Sequence, residues 1–274
     1  MNQVRRQASS SSVLEQQLDS YRFTFIVAAF VISLGIVLPR FGPGIPMSVD
    51  TNSHLYRILF FSRWLNEGIY PFWSPDWYAG APALLLYPPL GYFLALGLST
   101  VGLDPLLSYK IIDAIFYLLA PFTVYFLGRE LGFSKGESAI GSLFFSVLPG
   151  AIENYLFFDR FPTVISIPIF CAFVIMFHRT LANLGGPVNL LGAIFSMSAL
   201  MLTHHLSALI AGIVAVLMVL LSAGRQGWAK SITLLVVVAV GTVGLTAFWF
   251  VPFLQSITLF AANPFFNRNV TFPF

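Results

Sequence analysis

Three ionisable side chains follow one another at helical spacing in the first long polar segment of the chain. Asp50, His54 and Arg57 occupy positions i, i+4 and i+7, which lie on one face of an α-helix. The carboxylate of Asp50 is suited to act as a general base towards a hydroxyl or as one ligand of a divalent cation, although an aspartate also caps helix amides well. His54 is either part of the same site or an interfacial polar residue, and Arg57 either contacts an anion or forms a salt bridge.

A second charged group lies in the segment ENYLFFDRFP, where Glu153, Asp159 and Arg160 stand between apolar runs. Charged groups at the depth of a membrane are costly unless they are paired or solvated, so these residues are candidates for function. Asp159 is a candidate catalytic or cation-binding residue, and Arg160 is a candidate for binding a phosphate. The alternative is an interfacial salt pair between Asp159 and Arg160.

His204 and His205 are adjacent, and on a regular helix they point about 100° apart, which disfavours chelation of one ion by both. One of them facing a cavity could complete a site with Asp50 and Asp159, while the other caps or packs. Elsewhere, Lys110 and Asp113 stand at i and i+3, and this spacing predicts that they neutralise each other.

The aromatic residues of the first polar segment predict either a belt at the lipid headgroups or a surface that stacks sugars or holds a prenyl chain. Tyr87 is the candidate substrate-binding residue among them. The set comprises Trp64, Trp73, Trp77, Tyr78, Tyr87 and Tyr92.

The composition defines the broad class of the protein. Of 274 residues, 57% are hydrophobic and only 9% are charged, whereas a soluble domain carries about 25% charged residues. The chain therefore belongs in a membrane. The net charge of +3 is spread over small basic groups, which excludes a nucleic-acid partner. The single cysteine, Cys171, excludes an intramolecular disulfide and a cysteine metal cluster.

Positively charged loops predict the topology. If every apolar run crossed the membrane, the basic loops would fall on opposite sides, against the preference of Lys and Arg for the inside. Treating 84–102, which contains Pro88 and Pro89, as a juxtamembrane or re-entrant piece removes this conflict. About seven crossings then remain, with the N-terminus inside. The apolar runs are 23–38, 84–102, 106–128, 138–152, 162–182, 188–203, 206–223 and 231–253.

The predicted fold is an all-α polytopic bundle in the plasma membrane with a cytoplasmic N-terminal tail over 1–22. One transmembrane module covers 23–253, with outer loop 1 at 39–105 and outer loop 2 at 153–161. Outer loop 1 is expected to bear juxtamembrane helices. The stretch 254–274 is expected to start a further outer loop of a truncated chain.

Short motifs in outer loop 1 carry a resemblance to a known superfamily. An aspartate after the first span is followed by G-x-x-P-x-W from Gly68 to Trp73, by Gly80-Ala81-Pro82, and by YPPLGY from Tyr87. This order resembles the first outer loop of the GT-C superfamily of membrane glycosyltransferases. It is most similar to YfhO-like enzymes and to the membrane domain named as related to 6-pyruvoyl-tetrahydropterin synthase, a name that implies no pterin chemistry here.

The resemblance implies a bundle of about seven helices with its active site on the outer face. It implies an inverting transfer of a sugar from a polyprenyl-phosphate carrier to a glycan, lipid or protein acceptor. Asp50 matches the first-loop aspartate of the family, and Asp159 falls where the second-loop acid lies. Both are implied as catalytic or metal-binding residues, with Mg²⁺ or Mn²⁺ as the candidate cofactor. Asp50 is followed by Thr51 rather than by a second acid, which leaves metal dependence open.

Two other classes of function fit the sequence less well. One is a non-catalytic scaffold or lipid-binding subunit of the same fold. The other is a transporter, against which stand the few charges inside the spans and the lack of an inverted repeat.

Overall fold

The structure is a computed structural model that describes residues 13–69, 71, 73–76, 80–82, 84–85, 87–184 and 186–261. The expected tail over residues 1–12, the segment 262–274, and the aromatic residues Trp77 and Tyr78 lie outside the described residues. Within them the chain is helical apart from one antiparallel pairing of two-residue strands, so the predicted all-α class is confirmed.

Eleven α-helices are described, and a 3-10 turn over Leu38–Phe41 follows the second of them. A short helix α1 covers 13–20, and the strands are β1 (Trp73–Ser74) and β2 (Ala81–Pro82). The remaining helices are α2 (Arg22–Val37), α3 (Thr51–Asn66), α4 (Leu90–Thr100), α5 (Pro105–Glu130), α6 (Lys135–Ser146), α7 (Pro149–Leu156), α8 (Phe161–Leu181), α9 (Pro187–Thr203), α10 (His205–Gln226) and α11 (Trp228–Ala261).

Five segments are long and apolar enough to cross a membrane, which makes the chain an integral membrane protein. They are Arg22–Phe41, Pro105–Glu130, Phe161–Leu181, His205–Ser222 and Trp228–Ser256. Of the other predicted spans, α6 has 12 residues and α9 has 17, although both pack against these long helices. Five of the roughly seven predicted crossings are therefore supported, and the crossings by α6 and α9 stay predictions.

Prolines and a polar corner set several of the boundaries. The apolar run 138–152 was expected to be one helix, but it breaks between α6 and α7 before Pro149. Leu148 adopts an extended conformation there (ψ 118°), because proline disfavours the helical region for the residue that precedes it. The predicted division at His204 is confirmed, since His204 is extended (φ −157°, ψ 101°) between α9 and α10.

Helix α4 has 11 residues and therefore measures about 16 Å, roughly half the thickness of the hydrocarbon core. This length agrees with the prediction that the segment 84–102 does not cross. Gly91 allows α4 to approach α8 closely, because a Cβ at this position would lie 2.8 Å from the side chain of Ile165. The helix is thus packed onto the bundle as part of the first connecting segment.

Helix α8 is the centre of the bundle. In its most apolar 18-residue stretch, 56% of the residues are buried, whereas the corresponding share in the other four long segments is 17–33%. One face of α8 packs with α3, α4 and α5 around Ile58, Tyr92 and Phe161. The opposite part packs with α9 and α10 around Phe177 and Leu200. The connections at its two ends are consequently held at opposite ends of the molecule.

The two ends of the bundle differ in character. One end, here called the basic end, is formed by 131–134, 182–184 and 227, and there Glu130 accepts from His178 and Arg179 at 2.8 Å each. Basic side chains at the helix termini that adjoin these connections include Arg129, Lys135 and Lys230. The other end, the site end, is formed by 42–50, 101–104, 157–160 and His204. The preference of Lys and Arg for the cytoplasm predicts that the basic end faces inward.

A labelling experiment checks this orientation. In a Cys171→Ser background, Val101→Cys at the site end and Phe133→Cys at the basic end place single thiols at positions that are 73% and 51% exposed. A membrane-impermeant maleimide added to intact cells should label the first thiol and leave the second unlabelled until the membrane is permeabilised. Labelling of the thiol at 133 in intact cells would reverse the proposed orientation.

Candidate functional site

A buried arginine lies at the centre of the site end. Arg40, at the end of the first span, is only 6% exposed, and its Nη2 lies 2.9 Å from Oδ1 of Asp159. Its Nη1 lies 3.4 Å from Oδ2 of Asp113 and also donates to the backbone carbonyl of Tyr155. Arg40, Asp113 and Asp159 are called the Arg40 cluster below. It joins the end of the first span to α5 and to the α7–α8 connection.

Hydroxyl groups complete the surroundings of Asp159. Oδ2 accepts hydrogen bonds from Thr51 and Tyr109, and Ser48 Oγ lies 3.3 Å away. Asp159 is fully buried and adopts a left-handed backbone conformation (φ 53°), which aspartate tolerates better than most residues. The carboxylate is therefore directed into the protein, where the guanidinium of Arg40 balances its charge.

This arrangement does not fit a cation held jointly by Asp50 and Asp159. One oxygen of Asp159 faces the guanidinium of Arg40, and the other is taken by hydroxyl donors. Moreover, in the part of the chain that the structure describes, no group of three His, Cys, Asp or Glu side chains is placed to hold a metal ion. The Mg²⁺ or Mn²⁺ implied by the resemblance stays a prediction, and no step below depends on it.

Asp50 occupies the position expected for it at the start of α3, next to outer loop 2. Its backbone N–H donates to the carbonyl of Phe158 at 3.1 Å, and the N–H of Val49 donates to Phe157 at 3.1 Å. The two outer loops are thus joined by main-chain hydrogen bonds. Asp50 is the N-cap residue of α3, but its half-buried side chain caps no amide. The capping alternative therefore accounts for its position and not for its carboxylate.

His54 lies one turn further along α3 and is buried. Its Nδ1 is 2.8 Å from the Tyr92 hydroxyl, and its ring packs against Phe161 and interacts with the backbone of Asp159. Burial lowers the pKa of His54 to about 4, although the carboxylate of Asp159 opposes this shift. His54 is therefore a neutral imidazole that binds α3 to α4 and to outer loop 2.

Two arginines are nearer the surface of the site end. The guanidinium of Arg57 lies 3.8 Å from the ring centre of Tyr87 and donates to the carbonyl of Ser53 at 2.7 Å. Tyr87 is 40% exposed, so this cation–π pair is at the protein surface. Arg160 is exposed beside the ring of Phe158 at 5.0 Å. Arg57, Tyr87 and Arg160 are the sequence-predicted binding residues that remain accessible.

The two histidines of the α9–α10 corner have different partners, as their adjacency predicts. His204 Nδ1 is 2.7 Å from Oγ of Ser207, which lies 2.8 Å from Oγ of Ser166 on α8. His205 instead stacks on Phe253 of α11 with ring centres 6.0 Å apart. Burial, and then the neighbouring His205, lower the pKa of His204 to about 4. Both side chains therefore act first as links between helices.

One predicted pairing, and one pairing that the sequence offered as an alternative, are wrong. Lys110 does not pair with Asp113 but donates to the carbonyls of Gly42 and Gly44 at 2.9 and 2.7 Å. The partner of Asp113 is Arg40, and the same arginine replaces Arg160 as the partner of Asp159. In both cases the fold brings the buried guanidinium of Arg40, from a distant part of the chain, to within 4 Å of the acid, in place of the nearest cation in sequence.

Arg40 and the three tyrosines around it were not predicted from the sequence. Tyr109, Tyr117 and Tyr155 are all buried, and Tyr117 and Tyr155 pack with ring centres 4.2 Å apart. Arg40 was given no role, because the first apolar run ended at residue 38 and outer loop 1 began at 39. A useful signal was Asp113, because an acid inside an apolar span requires a cationic partner at the same depth.

The fold and the site end together define a polytopic membrane protein with a buried ion-pair cluster at one end of its bundle. Residues 84–266, more than half of the chain, match the family described as 6-pyruvoyl-tetrahydropterin synthase related domain, membrane protein. The chain belongs to this family. No curated protein matches the chain.

Removing the central cation should destabilise the fold. Arg40→Gln leaves the buried carboxylate of Asp159 without its cation, so the free energy of unfolding should fall by about 3–5 kcal/mol. Arg63→Gln, at an exposed position of α3, is the matched control and should change it by less than about 0.5 kcal/mol. Equilibrium unfolding in detergent measures both. Equal effects of the two substitutions would refute the central role of Arg40.

Acid should also destabilise the protein through His54. Because its pKa is about 4 when folded and 6.5 when unfolded, the unfolded chain binds more protons between these values. Stability is therefore lost as the pH falls from about 6.5 towards 4, with a limiting slope of about 1.4 kcal/mol per pH unit for one histidine.

The substitution His54→Gln should reduce this acid sensitivity. Some sensitivity should persist, because His204 has a similarly lowered pKa. Thermal unfolding of both proteins at a series of pH values from 7 to 4.5 measures the difference. Unchanged pH dependence in His54→Gln would contradict the burial of a neutral His54.

Proposed function

We propose that this protein is an inverting glycosyltransferase that takes its sugar from a polyprenyl-phosphate carrier and works on the outer face of the membrane. The proposal is supported by the membrane-protein family to which the chain belongs and by the resemblance of outer loop 1 to GT-C enzymes. The observation that carries it is the placement of Asp50. Its carboxylate lies half-buried at the site end, beside outer loop 2, and caps no amide of α3.

The chemistry needs one base and a cationic environment for the leaving phosphate. In the proposed step, the acceptor hydroxyl gives its proton to Asp50 while its oxygen attacks the anomeric carbon from the face opposite the phosphate. The bond between this carbon and the phosphate oxygen breaks, and the polyprenyl phosphate leaves with the electron pair. The anomeric configuration is inverted by this single displacement.

Arg57 and Arg160 are proposed to bind the phosphate through charge-assisted hydrogen bonds. Tyr87, which stacks on Arg57, would present its exposed ring to the sugar or to the lipid. Asp159 has a different role in this proposal from the one its sequence position implies. Buried with Arg40, it positions outer loop 2 next to Asp50 and does not itself meet the substrate.

The histidines of the site end are proposed to be positioning residues. His54 holds Asp159 and Tyr92 in place, and His204 fixes the corner that adjoins α8. The proposed setting is the plasma membrane, with the N-terminus in the cytoplasm and the site end outside. The acceptor class remains a glycan, a lipid or a protein.

One observation favours a second candidate, a non-catalytic scaffold or lipid-binding subunit. Most of the ionisable groups at the site end are engaged with the protein itself, as Asp159, His54 and His204 illustrate. A subunit that holds a lipid-linked partner would need this rigidity and no base.

Substitution of the proposed base separates the two functions. Asp50→Asn should lower sugar transfer at least about 100-fold, the contribution of a positioned general base, while the purified protein remains folded. Asp76→Asn, an exposed aspartate of the same outer loop, is the matched control and should retain activity. The measurement is transfer from a radiolabelled polyprenyl-phosphate sugar in membranes. Retained transfer in Asp50→Asn would exclude Asp50 as the base.

A further inference from the structure

Asp113 is a buried acid that the proposed function does not use. It lies within the span Pro105–Glu130, its side chain is fully buried, and Arg40 is its ion-pair partner at 3.4 Å. Among the described residues, neither of its carboxylate oxygens has a hydrogen-bond donor in bonding geometry. Ionisation of a buried acid that lacks hydrogen-bond donors is energetically unfavourable at membrane depth.

The surroundings of the two acids are unequal. Asp159 has the closer contact with Arg40, at 2.9 Å, and accepts further hydrogen bonds from the hydroxyls of Thr51 and Tyr109. Donated hydrogen bonds favour the charged form of a carboxylate, and their lack favours the neutral form. If one of the two acids is ionised, these contacts assign the charge to Asp159.

The charges of the cluster lead to the same assignment. One guanidinium faces two carboxylates, so a fully ionised cluster would carry a net charge of −1 in a water-poor interior. Lys110 does not correct this excess, because its ammonium donates to the carbonyls of Gly42 and Gly44. Within the described residues no ion pair joins it to either acid at 4 Å or less.

The other groups packed around Asp113 carry no charge that could take the place of a cation. They are the phenols of Tyr109, Tyr117 and Tyr155, of which Tyr117 and Tyr155 have hydroxyls without a partner in the described part of the chain. Burial raises the pKa of Tyr155, so its phenol stays neutral. Each phenol oxygen can accept a hydrogen bond as well as donate one, so the proton of a carboxylic acid at Asp113 would have acceptors among its neighbours.

We propose that Asp113 is a proton-binding site: it holds one proton while Arg40 is paired with Asp159. The cluster is then neutral, with one ionised acid, one guanidinium and one carboxylic acid. When the pair between Arg40 and Asp159 is broken, Arg40 is left to Asp113, which releases its proton to solvent at the site end. Separation of the two outer loops is thereby linked to the loss of one proton, and it becomes easier as the pH rises.

Infrared difference spectroscopy of the purified protein at pH 7 tests the site directly. The wild type should show the C=O stretch of a protonated carboxylic acid, and Asp113→Asn should lose this band. Asp76→Asn, the exposed control, should retain it. A wild type without the band, or a band that persists in Asp113→Asn, would overturn the proposal.

Stability supplies a second, independent readout. An amide resembles a protonated acid in shape and charge, so Asp113→Asn should shift the thermal midpoint by less than about 2 °C. Asp159→Asn removes the ionised acid and should lower the midpoint by at least about 6 °C. Failure of Asp113→Asn to fold, or an equal loss in both variants, would show that Asp113 is needed in its charged form.

The link to Arg40 is tested in Asp159→Asn protein that remains folded below its lowered midpoint. Arg40 then has Asp113 as its partner, so Asp113 should ionise and the carboxylic acid band should disappear. A band of undiminished intensity in this folded variant would show that the protonation of Asp113 does not depend on the partner of Arg40, and it would overturn the linkage.

Discussion

The guanidinium of Arg40 cannot give up its charge, and it is buried at the end of a membrane span. Acidic side chains from other parts of the chain must therefore lie beside it. Asp113 on α5 and Asp159 in the α7–α8 connection are these acids. This requirement draws outer loop 2 inward, where its backbone pairs with that of Val49 and Asp50. The position of the proposed base thus depends on an ion pair that does not itself take part in the proposed chemistry.

The features that follow from local chemistry could be predicted from the sequence. Apolar runs predicted the helical membrane class, and His204 marked a corner between two helices. The prolines in 84–102 predicted that this segment does not cross the membrane, and the 11-residue length of α4 is consistent with that. The pairing of the buried charges could not be predicted in this way. Lys110 and Asp113 satisfy the local i, i+3 rule, yet they do not pair with each other. Lys110 donates to the carbonyl of Gly42, and Asp113 has the guanidinium of Arg40, which is distant in sequence, as its partner.

The candidate site was foreseen in its residue types and only partly in its geometry. Asp50 and Arg57 are half-buried and Arg160 is exposed, and their roles towards a substrate stay predictions. Asp159 belongs to outer loop 2, but its left-handed backbone and its hydroxyl partners turn it inward. Sequence spacing does not encode this reversal, because it depends on Arg40 being present at the same depth.

Arg40 and Asp159 act as one unit that fixes the site end. A double-mutant cycle with Arg40→Gln, Asp159→Asn and the combined variant tests it most directly, with the free energy of unfolding in detergent as the readout. A coupling energy of at least about 2 kcal/mol is expected, since Arg40→Gln leaves the buried carboxylate of Asp159 unpaired, whereas the double substitution removes both members of the pair. Effects that add to within about 0.5 kcal/mol would show two independent residues and contradict the account.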